Sequence, residues 1–127
     1  MKHKVSELTG GLLDAAVAKA EGHKVCQLNG VWCSDLYGQW TRVRNMREWR
    51  YVGPIIEREF IAIAPYEHGI GEPSMWVAWV EERRHQATFD SYFERGIFDD
   101  NSRGPTPLIA AMRAYCASVF GEFVEIP

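Results

Sequence analysis

An α+β domain is what this sequence predicts: a small antiparallel sheet with an N-terminal and a C-terminal helix packed on it. Three observations carry that reading. Helical apolar spacing appears near the two ends of the chain, a two-residue hairpin signal and short apolar runs lie between them, and strands and helices do not alternate regularly. No repeat, low-complexity tract or Pro/Gly/Ser-rich linker divides the 127 residues, so residues 1–127 are read as one domain.

In "LTGGLLDAAVAKAEG", Thr9 is placed as an N-cap, and Leu12, Leu13, Ala16, Val17 and Ala20 fall at helical spacing. Gly22 is the stop. A hairpin follows from about 24 to 34. Asn29-Gly30 suits a two-residue turn, and counting outward sets Leu28 opposite Val31 and Cys26 opposite Cys33, with all four on one face. The stretch "DLYGQWTRVRNMREWRYVGP" has no clean period and reads as a long loop or weakly ordered strands.

Pro54 is expected at the first position of a helical turn, "PIIER", ahead of two strands, "EFIAIA" and "SMWVAWVEE". Both strands are apolar on both faces: Phe60, Ala62 and Ala64 against Ile61 and Ile63, then Trp76, Ala78 and Val80 against Met75, Val77 and Trp79. Strands of that kind are covered on both sides, and a partner subunit is one way to do it, which points to a homodimer. "PYEHGIGEP" is a connecting loop, and "RRHQATFDSYF" is read as a third strand with Ala87 and Phe89 facing in. The last helix begins at Thr106 as cap and Pro107 as first residue. Leu108, Ile109, Met112, Tyr115, Cys116, Val119 and Phe120 form its apolar stripe, Gly121 ends it, and "EFVEIP" adds an edge strand.

Composition narrows the function classes. With 46% apolar residues and a net charge of −3, the chain reads as a globular protein without the basic excess expected of a duplex-DNA binder. No apolar run reaches the roughly 20 residues of a membrane span and no signal core follows the N-terminal lysines, so a cytoplasmic location is expected. Three cysteines at these spacings match neither a zinc site nor a disulfide framework, and the paired Cys26 and Cys33 read as small buried hydrophobes. No H-E-x-x-H, G-x-S-x-G or phosphate-binding glycine loop is present, and no cofactor or metal is implied. The four histidines are scattered, Asp99-Asp100 suits an acidic turn, and Glu57 and Glu59 would point apart on a strand. A non-enzymatic protein is expected.

Two stretches are candidates for binding. "GPTPLIAAMRAY" is explained by capping and periodicity, yet a helix start also leaves backbone N–H groups that suit an anion. "WTRVRNMREWRY" alternates Arg42, Arg44, Arg47 and Arg50 with Trp40, Trp49 and Tyr51. Such a set suits a nucleotide or single strand through guanidinium forks and stacking, or a protein interface, with Trp40, Arg44, Arg47 and Arg50 as its anchors. The other reading is a surface loop whose tryptophans fill the core and whose arginines pair with the chain's 17 acids.

"VSELTGGLLDAAVAKAEG", "GPIIEREFIAI", the "WVA" near position 76 and "GPTPLIAAMRAYCASVFGEFVEIP" resemble the phage NinX family, small bacteriophage accessory proteins. The resemblance implies a phage or prophage origin and action in the bacterial cytoplasm, and implies no reaction. The family's tryptophan ahead of Gly-Pro-Ile-Ile corresponds to Trp49 before Gly53, Pro54, Ile55 and Ile56. This chain departs from the family pattern by an arginine-rich lead-in over 31–50 and by "YVGP" where Gly-Gly-Pro is usual. Convergence of the two Gly-Pro turns would bring Trp49, Gly53, Pro54, Arg58, Gly104, Thr106 and Arg113 to one cleft for a small anionic, nucleotide-like ligand. The alternative partner is a host protein engaged by Trp49 and the arginines beside it.

Overall fold

The computed structural model describes residues 1–66, 75–80 and 103–127. The expected third strand with Ala87 and Phe89, the Asp99-Asp100 turn, His68, His85 and residues 67–73 of "PYEHGIGEP" lie outside the described residues, while Pro65 and Tyr66, read as the start of that loop, pair with Trp76 and Met75 as the end of a strand.

In chain order the elements are β1 (Lys2–Lys4), a 3-10 turn (Val5–Glu7), α1 (Gly10–Ala20), β2 (Val25–Leu28), β3 (Val31–Ser34), a second 3-10 turn (Leu36–Gly38) and β4 (Thr41–Arg42). Then come α2 (Trp49–Glu59), β5 (Ile61–Tyr66), β6 (Met75–Val80), β7 (Arg103–Gly104), α3 (Pro107–Phe120) and β8 (Phe123–Glu125). The architecture is α+β. Among the described residues the strands form three small antiparallel sheets in place of the expected one: β1-β8, β2-β3-β4 and β5-β6-β7.

Helix α3 organises the core. Thr106 accepts a hydrogen bond from the Ile109 N–H (3.2 Å) and Pro107 opens the first turn, so the helix starts where its cap dictates. Its Ala110, Ala111, Met112 and Cys116 have no exposure, and it packs on α1, α2 and the β5-β6-β7 sheet. Burial pushes the Cys116 thiol up to about 12, which leaves it protonated and inert at neutral pH. Val119, expected in the stripe, is instead about half exposed, because the stripe drifts off the core before the helix ends at Gly121.

The hairpin has the expected register: Leu28 pairs with Val31 and Cys26 with Cys33, across a turn in which Asn29 (φ 50°) and Gly30 (φ 80°) are both left-handed. The shared face is buried only at its base. Cys33 is buried, Cys26 is half-buried, and Leu28 and Val31 at the tip are exposed. In the β5–β6 pair Ala62 opposes Trp79 and Ala64 opposes Val77, while Ile61 opposes Val80 and Ile63 opposes Ala78. The faces divide as the alternation requires. Ile61, Ile63, Trp76, Ala78 and Val80 join the main core, whereas Val77 and Trp79 form a second apolar cluster with Ala62, Ala64 and Tyr66.

The centre of the chain differs from the expectation. The irregular stretch ends in an eleven-residue helix, α2, with Pro54 at its sixth position and not its first. Val52 and Ile55 supply its buried face, and that packing outweighs the one backbone bond a proline removes. Gly53 helps, because without a Cβ it relieves much of the clash that bars the residue before proline from helical backbone. Phe60 is the left-handed C-cap of α2 (φ 55°), where a strand was expected, and Glu57 and Glu59 lie on the helix. The segment 41–50 is tied to the rest of the fold by backbone bonds and one buried side chain. Val43 N–H bonds the Trp32 carbonyl (3.1 Å), and Met46 is buried, with its N–H on Asp14 Oδ1 (2.9 Å).

Candidate functional site: an arginine-lined groove

Helices α1 and α2, the β2-β3-β4 hairpin sheet and the segment 43–48 enclose two adjoining depressions. The first, of about 380 Å3, is lined on its apolar side by Val17, Leu36, Met46, Pro54 and Ile55, and on its polar side by Glu21, His23, Ser34, Arg50 and Arg58. The second, of about 550 Å3, is lined by Trp32, Arg42, Asn45, Arg47 and Glu48. Asp14, Arg44 and Tyr51 line both, so the two are lobes of one groove.

The arginines of the second lobe stand out electrostatically. Asn45 Oδ1 accepts from both the backbone N–H and the Nε of Arg47 (2.9 Å each), which fixes that side chain without neutralising it. Arg44 lies over the Tyr51 ring at 5.3 Å from its centroid, and Arg50 over the same ring at 4.6 Å. Arg50 has Glu48 at 3.4 Å, but Arg42, Arg44 and Arg47 form no ion pair with any described residue. Three unneutralised guanidiniums around one concavity are suited to an anion.

Asp14 is the groove's one buried carboxylate, on the inward face of α1. Burial raises its pKa; the Met46 N–H and, at longer range, Arg47 and Arg42 pull it back in part. A carboxyl raised in the folded state stabilises the fold while protonated, below the ordinary value of 3.8, and that contribution is lost as pH rises through the folded value. Asp14→Asn keeps the acceptor for Met46 and is therefore expected to raise the urea midpoint at pH 7, with the gain over the parent shrinking as pH falls towards 3.8. A lower midpoint at pH 7 would show that the arginines more than offset the burial.

At the far end of the first lobe Arg58 Nη2 binds Glu21 Oε2 (2.8 Å), its Nε binds Glu59 (2.9 Å), and the Tyr115 hydroxyl donates to the same Glu21 oxygen (2.9 Å). Partial burial opposes the Arg58 charge, and the bonds to Glu59 and Glu21 outweigh it, so its pKa is raised. Burial and Glu21 together push the Tyr115 hydroxyl well above its ordinary value. Arg58 is thus committed to α1 and α3.

The residues expected at one cleft are separated. Pro54 and Arg58 line the first lobe, and Arg113 lines a different hollow with Lys4, Glu7 and Arg103. Trp49, Gly53, Gly104 and Thr106 line none of these three hollows. Arg113 donates from Nε to the Leu8 carbonyl (3.0 Å) and from Nη1 to that of Arg103 (3.1 Å), and burial lowers its pKa. At the α3 start Pro107 has no N–H, Thr106 takes those of Ile109 and Ala110, and little is left for an anion. Arg44, Arg47 and Arg50, singled out as interface candidates, line the groove, whereas Trp40 and Trp49 stand 50% and 59% exposed outside it.

Sequence reasoning missed Asp14, Glu21 and Trp32. Asp14 carried a readable signal, since it is the acid amid the buried run Leu13–Val17 of α1. Glu21 and Trp32 carried none, because only the tertiary arrangement turns them to the groove.

Fold and groove define a small α+β protein with a mixed-charge, arginine-rich concavity. The sequence model of the bacteriophage P22 NinX family matches residues 4–119, and the chain belongs to that family. No curated protein matches the chain significantly. No helix among the described residues is long and apolar enough to cross a membrane.

Proposed function

We propose that this NinX-family chain is a phage accessory protein that binds a small anionic, nucleotide-like ligand in the two-lobed groove without transforming it. The observation that carries the reading is the trio Arg42, Arg44 and Arg47, gathered at the 550 Å3 lobe of the groove without ion-pair partners among the described residues. Clustered like charges repel one another, and an anion placed among them relieves that repulsion while accepting several charge-assisted hydrogen bonds. Membership of a phage family fits an accessory role in an infected bacterium.

Titration calorimetry with inorganic diphosphate and nucleoside di- and triphosphates tests this. Binding is expected to weaken about 10-fold or more in Arg42→Ala and Arg47→Ala, on the basis that a hydrogen bond to a charged group contributes roughly 1.5–3 kcal/mol. Thr106→Ala, which removes only the α3 cap, should leave it unchanged. Absence of binding by any of these anions at millimolar concentration sinks the reading.

A second reading is favoured by Tyr37 (85% exposed), Trp40 and Trp49, which project from the surface near the groove segment in sequence. Exposed aromatics beside arginines suit a protein interface. On that reading a host protein is retained by the chain and lost in Trp40→Ala and Trp49→Ala, and weakened in the variants of the neighbouring Arg47 and Arg50.

A further inference from the structure

Both lobes carry apolar side chains, and they differ in how far their arginines are engaged. One lobe offers an apolar wall, Leu36, Met46, Pro54 and Ile55, and the two arginines that line it alone, Arg50 and Arg58, are engaged by Glu48 and by Glu21 and Glu59. The other, lined also by Val31, Trp32 and Val43, offers Arg42, Arg44 and Arg47 with no ion pair among the described residues. Between them, lining both, stands Asp14. Its Oδ1 is occupied by the Met46 N–H, and no hydrogen bond among the described residues reaches its second oxygen.

A ligand matching that order is flat and largely apolar at one end, carries hydroxyl donors in its middle, and ends in two or more phosphates. We infer that the groove takes a ribonucleoside 5′-diphosphate or a longer 5′-phosphate chain, with phosphates at Arg42, Arg44 and Arg47, ribose hydroxyls on Asp14, and base against Leu36, Met46 and Ile55. The inference rests on the anion-binding reading above and adds the ligand class and its polarity. Each lobe falls within the roughly 300–1,000 Å3 of ordinary small-molecule sites. A carboxylate is the acceptor that ribose hydroxyls call for, and it discriminates against a sugar lacking one, because its oxygen is then left unpaired away from water. Arg44, over the face of Tyr51 and lining both lobes, follows the phosphates as they leave the sugar.

The test is titration calorimetry on the whole chain at fixed salt. The probes are the four ribonucleoside diphosphates and, for the tightest of them, its monophosphate, its 2′-deoxy form and inorganic diphosphate. The diphosphate is expected to bind about 10-fold or more tighter than the monophosphate and than inorganic diphosphate, since the first lacks a phosphate for the arginines and the second lacks the ribose and base. Arg42→Ala and Arg47→Ala should collapse the diphosphate-to-monophosphate ratio. Asp14→Asn keeps the Met46 bond, turns the charge-assisted contact to the sugar into a neutral one and should cut the preference for ribose over 2′-deoxyribose several-fold. Thermal melts of each variant establish that it is folded.

Inorganic diphosphate binding as well as the nucleotide overturns this inference and leaves the anion reading standing, with the apolar lobe unused. An unchanged ribose preference in Asp14→Asn overturns the assigned polarity. Binding by neither inorganic diphosphate nor any nucleotide overturns both.

Discussion

Gly104→Ala is expected to lower stability by about 2–3 kcal/mol and the melting temperature by on the order of 10 °C. A Cβ built at Gly104 falls 2.7 Å from the Ala110 backbone N, 3.0 Å from its Cα and 3.1 Å from Ile109 Cγ2. Two of those three atoms are helix backbone and cannot swing aside. Strand β7 cannot retreat either, since Gly104 is paired with Trp76 on β6, so the sheet and α3 must part to admit one methyl group. Circular dichroism melts of parent and variant decide the matter. An unchanged midpoint would mean that this contact tolerates a shift, and would return Gly104 to the residues kept for binding.

Arg113→Met is expected to cost about 2–3 kcal/mol, read as a lower urea midpoint, and to leave anion affinity unchanged while the protein is folded. The guanidinium satisfies two carbonyls on different elements, Leu8 ahead of α1 and Arg103 in β7. Methionine fills the space of the stem and leaves both acceptors without their donor. Arg113→Lys restores the charge but not the planar fork that spans both carbonyls, so it should recover less than half of the loss. A Met variant with parental stability and no diphosphate binding would reverse the assignment and place Arg113 in a binding site.

These expectations separate scaffold from site in a chain where the two look alike in sequence. The α3 start has the features of an anion seat, a capped helix with glycine before it and arginine within its second turn. In the fold its donors are consumed by Thr106, its glycine is pressed on the helix backbone, and its arginine is turned to two carbonyls. The arginine-rich segment reads as a loose loop, and in the fold it is held by Met46 and Asp14 as the wall of the groove.

What the sequence by itself determined is local. Thr106 and Pro107 start α3, Asn29-Gly30 sets the hairpin register, and strict alternation assigns Ile61–Ala64 of β5 and Trp76–Val80 of β6 to their faces, because capping, turn geometry and side-chain period act over a few neighbouring residues. The family resemblance was legible too, in motifs spread along the chain. The tertiary structure alone decided that α2 runs from Trp49 through an interior proline, since burial of Val52 and Ile55 outweighs a local propensity against helix. It also decided which arginines remain without acidic partners and that Asp14 stands between two lobes. Those depend on residues as far apart as Asp14 and Met46, or Glu21 and Arg58, coming within reach of each other, and no local pattern encodes that distance.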